Sequence, residues 1–595
     1  MSEPLRSGSE EPGGLRLGAD FAGGDLEQWR RLALAVLRKA GTADDGTPPE
    51  AVQELLGSVT YDGIALAGLY TAADTEALPA VGWPGQTPFI RGGSATPRAW
   101  DVRQRHADPD PKATREAILA DLENGATSIW LDGIAPGSIA EVLDGVYLDL
   151  APVVLDCGAD TEAAAAVFLG LPGEDKRGNL GADPLGWQAK TGQPADLGML
   201  GRLAGATPEG LTVATVDATP YHQAGGSDAE ELGFAAATGV AYLRAFVDAG
   251  LSVGMALRQL EFRYAADQHQ FATIAKLRAA RRIWARIATV CDMPHRGAQI
   301  QHAVTSAAMM TARDPWSNLL RTTVACFAAG VGGADAVTVL PFDARLGLPD
   351  GFSRRIARNT STLLVEEANV ARVLDPAGGS WFVESLTDTL AHAAWDVFVE
   401  VERAGGMPAA LDSGLVADRV AATWQRRADR LAHRLDPVTG VSEFASLEER
   451  RPARSPAPPP PSGGLPQHRR AEAFETLRDA ADEGGAGKVV SLVTLGPVAA
   501  HTARASFAAN LFAAGGIRTV HNGPVTDVVC ICGSDRSYAG EAEETARRLK
   551  AEGARTVWLA GKPAGYDHVD DYLYTGCDAL AVLRRTHSDL GLVAP

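Results

Sequence analysis

The chain has 595 residues, a length that exceeds a single hydrophobic core and predicts roughly two to four domains. Its formal net charge of −19 disfavours a broad phosphate-binding surface, so nucleic acid is not an expected partner. Six cysteines without a repeating pattern argue against a disulfide scaffold. No metal site is expected either, because the C-x-C pair Cys530 and Cys532 lacks a second Cys/His pair.

The N-terminal region, residues 1–58, is predicted to be an arm followed by a helix. Residues 1–25 are rich in Gly, Ser, Glu and Pro, and "DLEQWRRLALAVLRKAG" (25–41) predicts an amphipathic helix that ends at a glycine. The arm has no apolar leader, and no run of about 20 apolar residues occurs in the chain. We therefore expect a cytoplasmic protein with no membrane contact.

Residues 59–400 are predicted to form a (β/α)8 barrel of the TIM type. Short apolar runs alternate there with longer helical stretches such as 271–291. The strand candidates include "TSIWLD" (127–132), "PVVLDC" (152–157), "LTVATVDA" (211–218) and "DAVTVLPF" (335–342). This order fits a parallel sheet closed into a barrel with insertions. An open doubly wound sheet is the alternative that the pattern leaves.

A second, smaller α/β domain is predicted at residues 486–595. Residues 401–485 are predicted to form helices and a linker. The linker is predicted at "RPARSPAPPPPSGGLPQHRR" (451–470), because this composition cannot build a core. The alternation after the linker runs through "KVVSLVTL" (488–495), helix 501–514, "DVVCIC" (527–532), helix 541–552, "TVWLAG" (556–561) and "ALAVL" (579–583). Strands at this spacing suit a flavodoxin-like, doubly wound sheet.

Several segments, in order along the chain, resemble the methylmalonyl-CoA mutase family. They are "PGQTPFIRGG" (84–93), "KLRAARRIWA" (276–285), "TARDPWSNLLRT" (311–322), "FDARLGLPDGFSRRIARNT" (342–360) and "DPAGGSWFVESLTD" (375–388). The resemblance implies a barrel for the acyl-CoA and a flavodoxin-like domain for adenosylcobalamin. Many bacterial members of the family are heterodimers of a catalytic large chain and a related small chain.

The cobalamin motif of the family is degenerate in this chain. A D-x-H-x-x-G loop places a histidine below cobalt in the family, and the corresponding window here is "AAHTAR" (499–504). His501 is present, but Ala499 replaces the Asp that orients the imidazole, and Arg504 replaces the Gly beside the nucleotide tail. The family's Ser-x-Leu reads "CGSD" (532–535), and its Gly-Gly reads Ala560-Gly561-Lys562. We interpret His501 as a residue that caps or packs the first helical turn, and we expect no cofactor on this chain.

The barrel motifs depart from the family as well. "GGSATPRA" (92–99) has no counterpart of the family's substrate tyrosine, and "NLGADP" (179–184) has lost a glutamine, with Lys190 as the next cation. Val304 replaces the Gln of H-x-Q-T-S-G. The sequence Thr338-Val339-Leu340-Pro341 stands where H-T-N-S lines the family's axial tunnel. We expect Val339, Leu340 or both to face inward and close that tunnel.

Three candidate site residues of the barrel are retained, namely Tyr221, His222 and His302. "PYHQAGGSD" (220–228) keeps the Tyr-His pair of the family's Y-H-M-Q-E-A-G, in which the histidine contacts substrate. Because the neighbouring motifs are lost, we interpret all three as vestigial structural residues and expect no catalytic residue on this chain.

With these departures, the chain resembles the small (beta) subunit of the heterodimeric bacterial enzymes. The resemblance implies a non-catalytic chain that stabilises a catalytic large (alpha) subunit, with adenosylcobalamin bound by that partner. The complex of the family interconverts succinyl-CoA and (R)-methylmalonyl-CoA by a radical rearrangement. Two alternatives stay open: an autonomous acyl-CoA mutase that uses His501 and His222, and a regulatory module that binds CoA or a nucleotide.

Overall fold

The computed structural model describes residues 25–173, 175–208, 210–484 and 488–592. The chain divides into two compact units, the first of which ends at Ala72. This unit contains α1 (Leu26–Lys39), α2 (Val52–Leu55) and an antiparallel pair of short strands, β1 (Ser58–Val59) and β2 (Ala65–Leu66). Asp25 caps α1 by accepting a hydrogen bond from the Gln28 amide at 2.6 Å, which agrees with the predicted helix start. Of the predicted arm, residues 1–25, all but the last residue lie outside the described residues.

The second unit begins at Ala73 and contains a closed barrel of eight parallel strands. The strands are β3 (Asp101–His106), β4 (Ser128–Asp132), β5 (Val153–Asp156), β6 (Gly178–Ala182), β7 (Leu211–Asp217), β8 (Leu260–Ala266), β9 (Ile300–Thr305) and β10 (Ala336–Thr338). Each strand pairs with the next one along the chain, and β10 pairs with β3 to close the barrel. The (β/α)8 prediction is confirmed, and the open doubly wound alternative is wrong.

Helices surround the barrel in the order that a (β/α)8 fold requires. They are α3 (Pro111–Glu123), α4 (Ile139–Val142), α5 (Thr161–Gly170), α6 (Pro184–Thr191), α7 (Gly198–Ala206), α8 (Thr219–Gln223), α9 (Asp228–Asp248), α10 (Val253–Ala256), α11 (Gln270–Val290), α12 (Asn318–Val331), α13 (Gly351–Thr362) and α14 (Trp381–Arg403). The last helix packs over α9 and α11. Gly233 of α9 permits this approach, because a Cβ there would lie 2.6 Å from the Cβ of Val397.

Residues 451–470, predicted as a linker, lie across the loops at the carboxyl ends of the barrel strands; we call them the strap. They follow α15 (Met407–Asp412) and α16 (Leu415–Ala432). The Leu348 amide donates to the Ser455 carbonyl at 2.8 Å, and the Leu465 amide donates to the Ala189 carbonyl at 2.7 Å. Prolines favour an extended strap, and the amides of Gly464, His468 and Arg470 also donate to barrel carbonyls. The strap is therefore a bound segment rather than a free spacer.

A five-stranded parallel sheet follows the strap and α17 (Glu472–Glu483). Its strands are β11 (Val489–Thr494), β12 (Arg518–His521), β13 (Val528–Cys532), β14 (Thr556–Ala560) and β15 (Asp571–Leu573), and its helices are α18 (Val498–Ala514), α19 (Asp535–Ala551) and α20 (Ala579–Asp589). The strand order β12-β11-β13-β14-β15 is that of a flavodoxin-like sheet, as predicted. The domain limits 59–400, 401–485 and 486–595 stay a prediction, because both domains lie in one compact unit.

Two elements of this sheet differ from the sequence-based expectation. The edge strand β12 was not predicted, because "RTVH" is short and polar and none of its residues is fully buried. "ALAVL" (579–583) begins α20 instead of forming a strand, because Asp578 caps the helix by accepting from the Ala581 amide at 2.9 Å. The last strand is formed by Asp571–Leu573 instead.

Candidate functional site

Charged side chains occupy the interior of the barrel. Arg103 of β3 forms an ion pair with Glu261 of β8. Arg263, also on β8, lies 2.6 Å from Asp156 of β5 and 3.3 Å from Asp217 of β7. Neither β3 nor β5 is a neighbour of β8, so two of these ion pairs cross the barrel. We call these five residues the axial charge cluster.

The axial charge cluster lies in the barrel interior, where we expected Val339, Leu340 or both to face inward and close the tunnel. Both residues follow the end of β10 and are buried, but of the two only Leu340 lines the space at the carboxyl end of the barrel. The interior between the strands is filled by charges instead. This arrangement is tolerated because each buried charge has a partner of opposite sign, which offsets the cost of removing it from water.

His302, one of the three retained candidates, is fully buried beside the axial charge cluster. Its Nδ1 accepts a hydrogen bond from Arg263 Nε at 3.3 Å, and its Nε2 lies 2.8 Å from Thr338 Oγ1. Burial, with Arg103 and Arg263 nearby, holds the pKa of His302 well below its ordinary value. A neutral ring that accepts at Nδ1 carries its proton on Nε2 and donates it to Thr338. His302 is thus locked into the interior of the barrel.

A cavity of about 1190 Å³ opens at the carboxyl ends of the barrel strands. (β/α)8 enzymes place their active sites at this end. Trp130, Lys190 and His222 line this barrel cavity, and the strap contributes Pro458, Pro459, Pro460 and Pro461 to its wall. The strap therefore narrows the opening that a substrate would use.

Acidic residues at strand ends control the charge of the cavity wall. Lys190 Nζ lies 2.8 Å from Asp217 Oδ2. Burial alone would lower the pKa of Lys190, but Asp217 and Asp156 raise it above its ordinary value. Burial raises the pKa of the neighbouring Asp183 to about 7, and Asp217 adds to that rise. Lys190 is therefore held as a cation by internal carboxylates rather than left free for a ligand.

Sequence reasoning missed the two strand-end aspartates at the centre of this network. Asp156 ends β5 and Asp217 ends β7, and both line the barrel cavity. The available signal was an acidic residue directly after an apolar strand, in "VVLD" and "TVD". Catalytic groups of (β/α)8 barrels commonly stand at such positions. Here both carboxylates pair with internal cations.

The retained Tyr-His pair is divided between the core and the cavity. His222 lines the barrel cavity, with Nε2 2.7 Å from Ser306 Oγ and Nδ1 3.5 Å from Glu231 Oε2. Glu231 is itself held by Lys276 at 2.7 Å. Tyr221 is fully buried and lies against Phe234, with ring centroids 5.1 Å apart. The structure thus brings only His222 of this pair to the cavity.

His501 lies in the first turn of α18, in the crevice region of the flavodoxin-like sheet. Pro497 precedes that helix and makes no side-chain cap. His501 Nδ1 is buried without a hydrogen-bond partner in the part of the chain that the structure describes. Of the two roles expected for His501, capping or packing, the structure shows no side-chain cap at this helix end, and packing stays a prediction.

The crevice at the carboxyl ends of β11 and β13 is bridged by side chains of this chain. Arg504 donates to the Gly533 carbonyl at 2.8 Å and to Asp535 Oδ1 at 2.6 Å, and its guanidinium lies 4.9 Å from the centre of the Tyr538 ring. The Tyr538 hydroxyl accepts from the Gly533 amide and donates to the Ala560 carbonyl. We call Arg504 and Tyr538 the crevice pair; sequence reasoning identified Arg504 and missed Tyr538.

Adenosylcobalamin does not fit these residues. Doubly wound sheets bind ligands in the crevice where the strand order reverses, which here lies between β11 and β13. The crevice pair fills that region, and a Cβ added to Gly561 would lie 3.4 Å from Arg504 Nη1. His501 has no orienting carboxylate, because Ala499 stands at that position.

Within the described residues, no group of three or more His, Cys, Asp or Glu side chains could hold a metal ion. Cys530 and Cys532 are fully buried on β13, with their sulfur atoms 3.9 Å apart. No described helix is both long and apolar enough to cross a membrane.

Comparison with known proteins gives the same family as the motifs. A family model described as methylmalonyl-CoA mutase matches residues 206–504. The methylmalonyl-CoA mutase small subunit of Streptomyces virginiae is 54% identical, over 97% of this chain and 99% of the relative. The probable methylmalonyl-CoA mutase small subunit of Mycobacterium bovis is 42% identical, over 90% of this chain and 93% of the relative.

A methylmalonyl-CoA mutase large subunit is a more distant match. The large subunit of Streptomyces virginiae is 31% identical, over 71% of this chain and 62% of the relative. The small-subunit relatives, by contrast, align over nearly the whole chain. The chain therefore belongs to the methylmalonyl-CoA mutase family and is similar along its length to the small subunits of that enzyme.

Proposed function

We propose that this chain is the small, non-catalytic subunit of an adenosylcobalamin-dependent methylmalonyl-CoA mutase, an isomerase. It forms a heterodimer with the catalytic large subunit and stabilises it. The partner subunit binds adenosylcobalamin and interconverts succinyl-CoA and (R)-methylmalonyl-CoA in the propionate metabolism of the cytoplasm. The observation that supports this role most strongly is the crevice pair, which bridges the crevice where the resemblance implies a cobalamin tail.

The barrel supports the same proposal independently. The CoA arm of the family's substrate passes along the barrel axis, whereas the axial charge cluster spans the axis here. Arg103 and Glu261 are less than 7% exposed. Moving this pair aside for a ligand would separate buried opposite charges, a change that costs several kcal/mol in folded proteins. An acyl-CoA is therefore not expected to thread this barrel.

Three of the segments that match the family maintain the fold. Arg278 is fully buried and bonds to Asp375 and Glu384, and Arg91 lies 3.1 Å from Asp375. These residues come from three of the matched segments and contact one another rather than the barrel cavity. A chain that keeps its structural motifs and loses its binding motifs suits a stabilising partner.

The autonomous-mutase alternative depends on His501 and His222, and both can be tested in the assembled complex. We expect His501→Ala and His222→Gln to change the turnover of the heterodimer less than about twofold. The comparison is made at equal heterodimer concentration, because a variant that weakens binding lowers the amount of complex without changing its turnover. A hundredfold fall in kcat with assembly intact would overturn the non-catalytic role.

A further inference from the structure

Two arginines that line the barrel cavity form no ion pair with a carboxylate in the part of the chain that the structure describes. Arg345 lies in the loop after β10, and Arg354 lies in the first turns of α13; both line the cavity. Arg354 Nη1 donates to the Pro349 carbonyl at 2.8 Å. Arg345 has neither a hydrogen bond nor an ion pair with any residue that the structure describes. Both guanidinium groups are thus available to a ligand in the cavity.

Most other charges that line the cavity are already matched. Asp132 pairs with Arg105 at 2.5 Å, Asp156 pairs with Arg263, and Asp217 pairs with Lys190. Arg469 of the strap pairs with Glu475. Asp108 and Glu116 also line the cavity, but neither lies within 4.0 Å of a cationic side chain in the described chain. Arg345 and Arg354 are therefore the arginines lining the cavity that form no ion pair within the described residues.

Neighbouring charges act on Arg345 in both directions. Burial and the nearby Arg469 lower the pKa of Arg345 to about 10, while Glu475 and Glu472 act to raise it. Burial and Arg354 lower the pKa of His106, which also lines the cavity, to about 3. Arg345 remains a cation at neutral pH and can therefore bind an anion in the cavity.

The position of these arginines is one that the fold favours for phosphate. In (β/α)8 barrels the loops after the seventh and eighth strands frequently bind phosphate. Here those strands are β9 and β10, and the loops that follow them contribute Ser306 and Arg345 to the cavity. The planar guanidinium group bonds to two phosphate oxygens at once. The cavity, at about 1190 Å³, also has room for a small organic molecule behind that phosphate.

We propose that the barrel cavity of this chain binds a phosphate group, free or carried by a small organic molecule, where Arg345 and Arg354 line it. The strap lines the same cavity through Pro458, Pro459, Pro460 and Pro461. Lys190 also lines the cavity but is paired with Asp217. The proposal is independent of the subunit role, because it concerns binding and not turnover.

Calorimetric titration of the full-length chain tests the proposal. The probes are inorganic phosphate, adenosine 5′-phosphate, coenzyme A, and adenosine without phosphate as the control. We expect at least one phosphate-bearing probe to bind and adenosine not to bind. Tighter binding of an ester than of inorganic phosphate identifies an organic ligand, and equal affinity identifies free phosphate.

Variants locate the site. Arg345→Gln is expected to weaken binding about tenfold or more without lowering the Tm, because Arg345 makes no bond that the variant loses. Arg355→Gln is the matched control, since Arg355 lies on α13 next to Arg354, is exposed and does not line the cavity. The proposal would be overturned if none of the probes bound at about 10 mM, roughly the weakest affinity of interest. Equal weakening by both variants, or no weakening by Arg345→Gln, would overturn it as well.

Discussion

The carboxyl ends of the barrel strands and the carboxyl ends of the flavodoxin-like sheet differ in how they are occupied. Both are places where α/β folds bind ligands. In the sheet, Arg504 and Tyr538 bridge the crevice directly. In the barrel, the axial charge cluster fills the axis, and a cavity of about 1190 Å³ remains at the carboxyl ends of the strands.

The comparison shows that two binding regions of one chain can be closed by different physical means. The sheet is closed by neutral hydrogen bonds and one half-exposed arginine, whereas the barrel axis is closed by buried ion pairs. Breaking a buried ion pair leaves an uncompensated charge, while breaking a neutral hydrogen bond costs much less. Stability measurements on single variants should therefore separate the two regions.

The largest effect is expected in the barrel. Glu261→Ala leaves Arg103 buried without its carboxylate, and we expect the free energy of unfolding to fall by about 3–5 kcal/mol. The double variant Arg103→Met, Glu261→Leu should recover most of this loss, because no buried charge remains. Urea unfolding measures the free energy of unfolding of the single and the double variant. Glu162→Ala, at the exposed pair with Arg202, is the control and should leave stability nearly unchanged. A loss in Glu261→Ala no larger than in this control would show that the axial pair is not a stabilising closure.

The second effect is a pH dependence of the barrel. His106 has a pKa of about 3 when folded, because burial and Arg354 disfavour its cation, and it ionises near 6.5 when unfolded. The unfolded state therefore binds the proton first, and stability falls as pH drops below about 6.5, by about 1.4 kcal/mol per pH unit for this group.

Replacing the imidazole tests this assignment. His106→Gln should reduce the difference in unfolding free energy between pH 6.5 and pH 5.0 by about 2 kcal/mol. The exposed His392 supplies the control variant, His392→Gln, which should leave that difference as it is in the wild type. The same difference in His106→Gln and the wild type would show that His106 is not held neutral by the fold.

A smaller effect is expected in the crevice of the sheet. Tyr538→Phe removes the hydroxyl that bonds to Gly533 and Ala560, and we expect a loss of about 1–2 kcal/mol in chemical denaturation. Arg504→Ala should cost less, because its partner Asp535 is largely exposed. The reverse order would mean that the arginine, and not the tyrosine, closes the crevice.

The smallest effect is expected at His501. It forms no helix cap, and its buried Nδ1 has no partner, so His501→Ala removes some packing and an unsatisfied polar atom together. We expect a change of at most about 1 kcal/mol in either direction, measured by thermal unfolding. A loss above about 2 kcal/mol would indicate a bond that the structure does not show.

The sequence predicts the architecture better than it predicts the sites. Alternating apolar runs and helices lead to the barrel and the sheet, because that pattern depends on local periodicity. The axial charge cluster is not evident from the same sequence, since Arg103, Glu261 and Arg263 acquire partners only when distant strands close into a barrel. Tyr538 is hidden for the same reason: its hydroxyl reaches Ala560 of the next strand. The contact of the strap with the barrel is not evident from the sequence, because the composition of the strap is that of a linker.

The retention of a corrinoid by the purified full-length chain tests the central claim most directly. The chain is incubated with adenosylcobalamin, passed through gel filtration and examined by its absorption spectrum, beside the heterodimer with the large subunit. The account predicts no corrinoid on the isolated chain and a corrinoid on the heterodimer. A corrinoid spectrum that co-elutes with the isolated chain would contradict it.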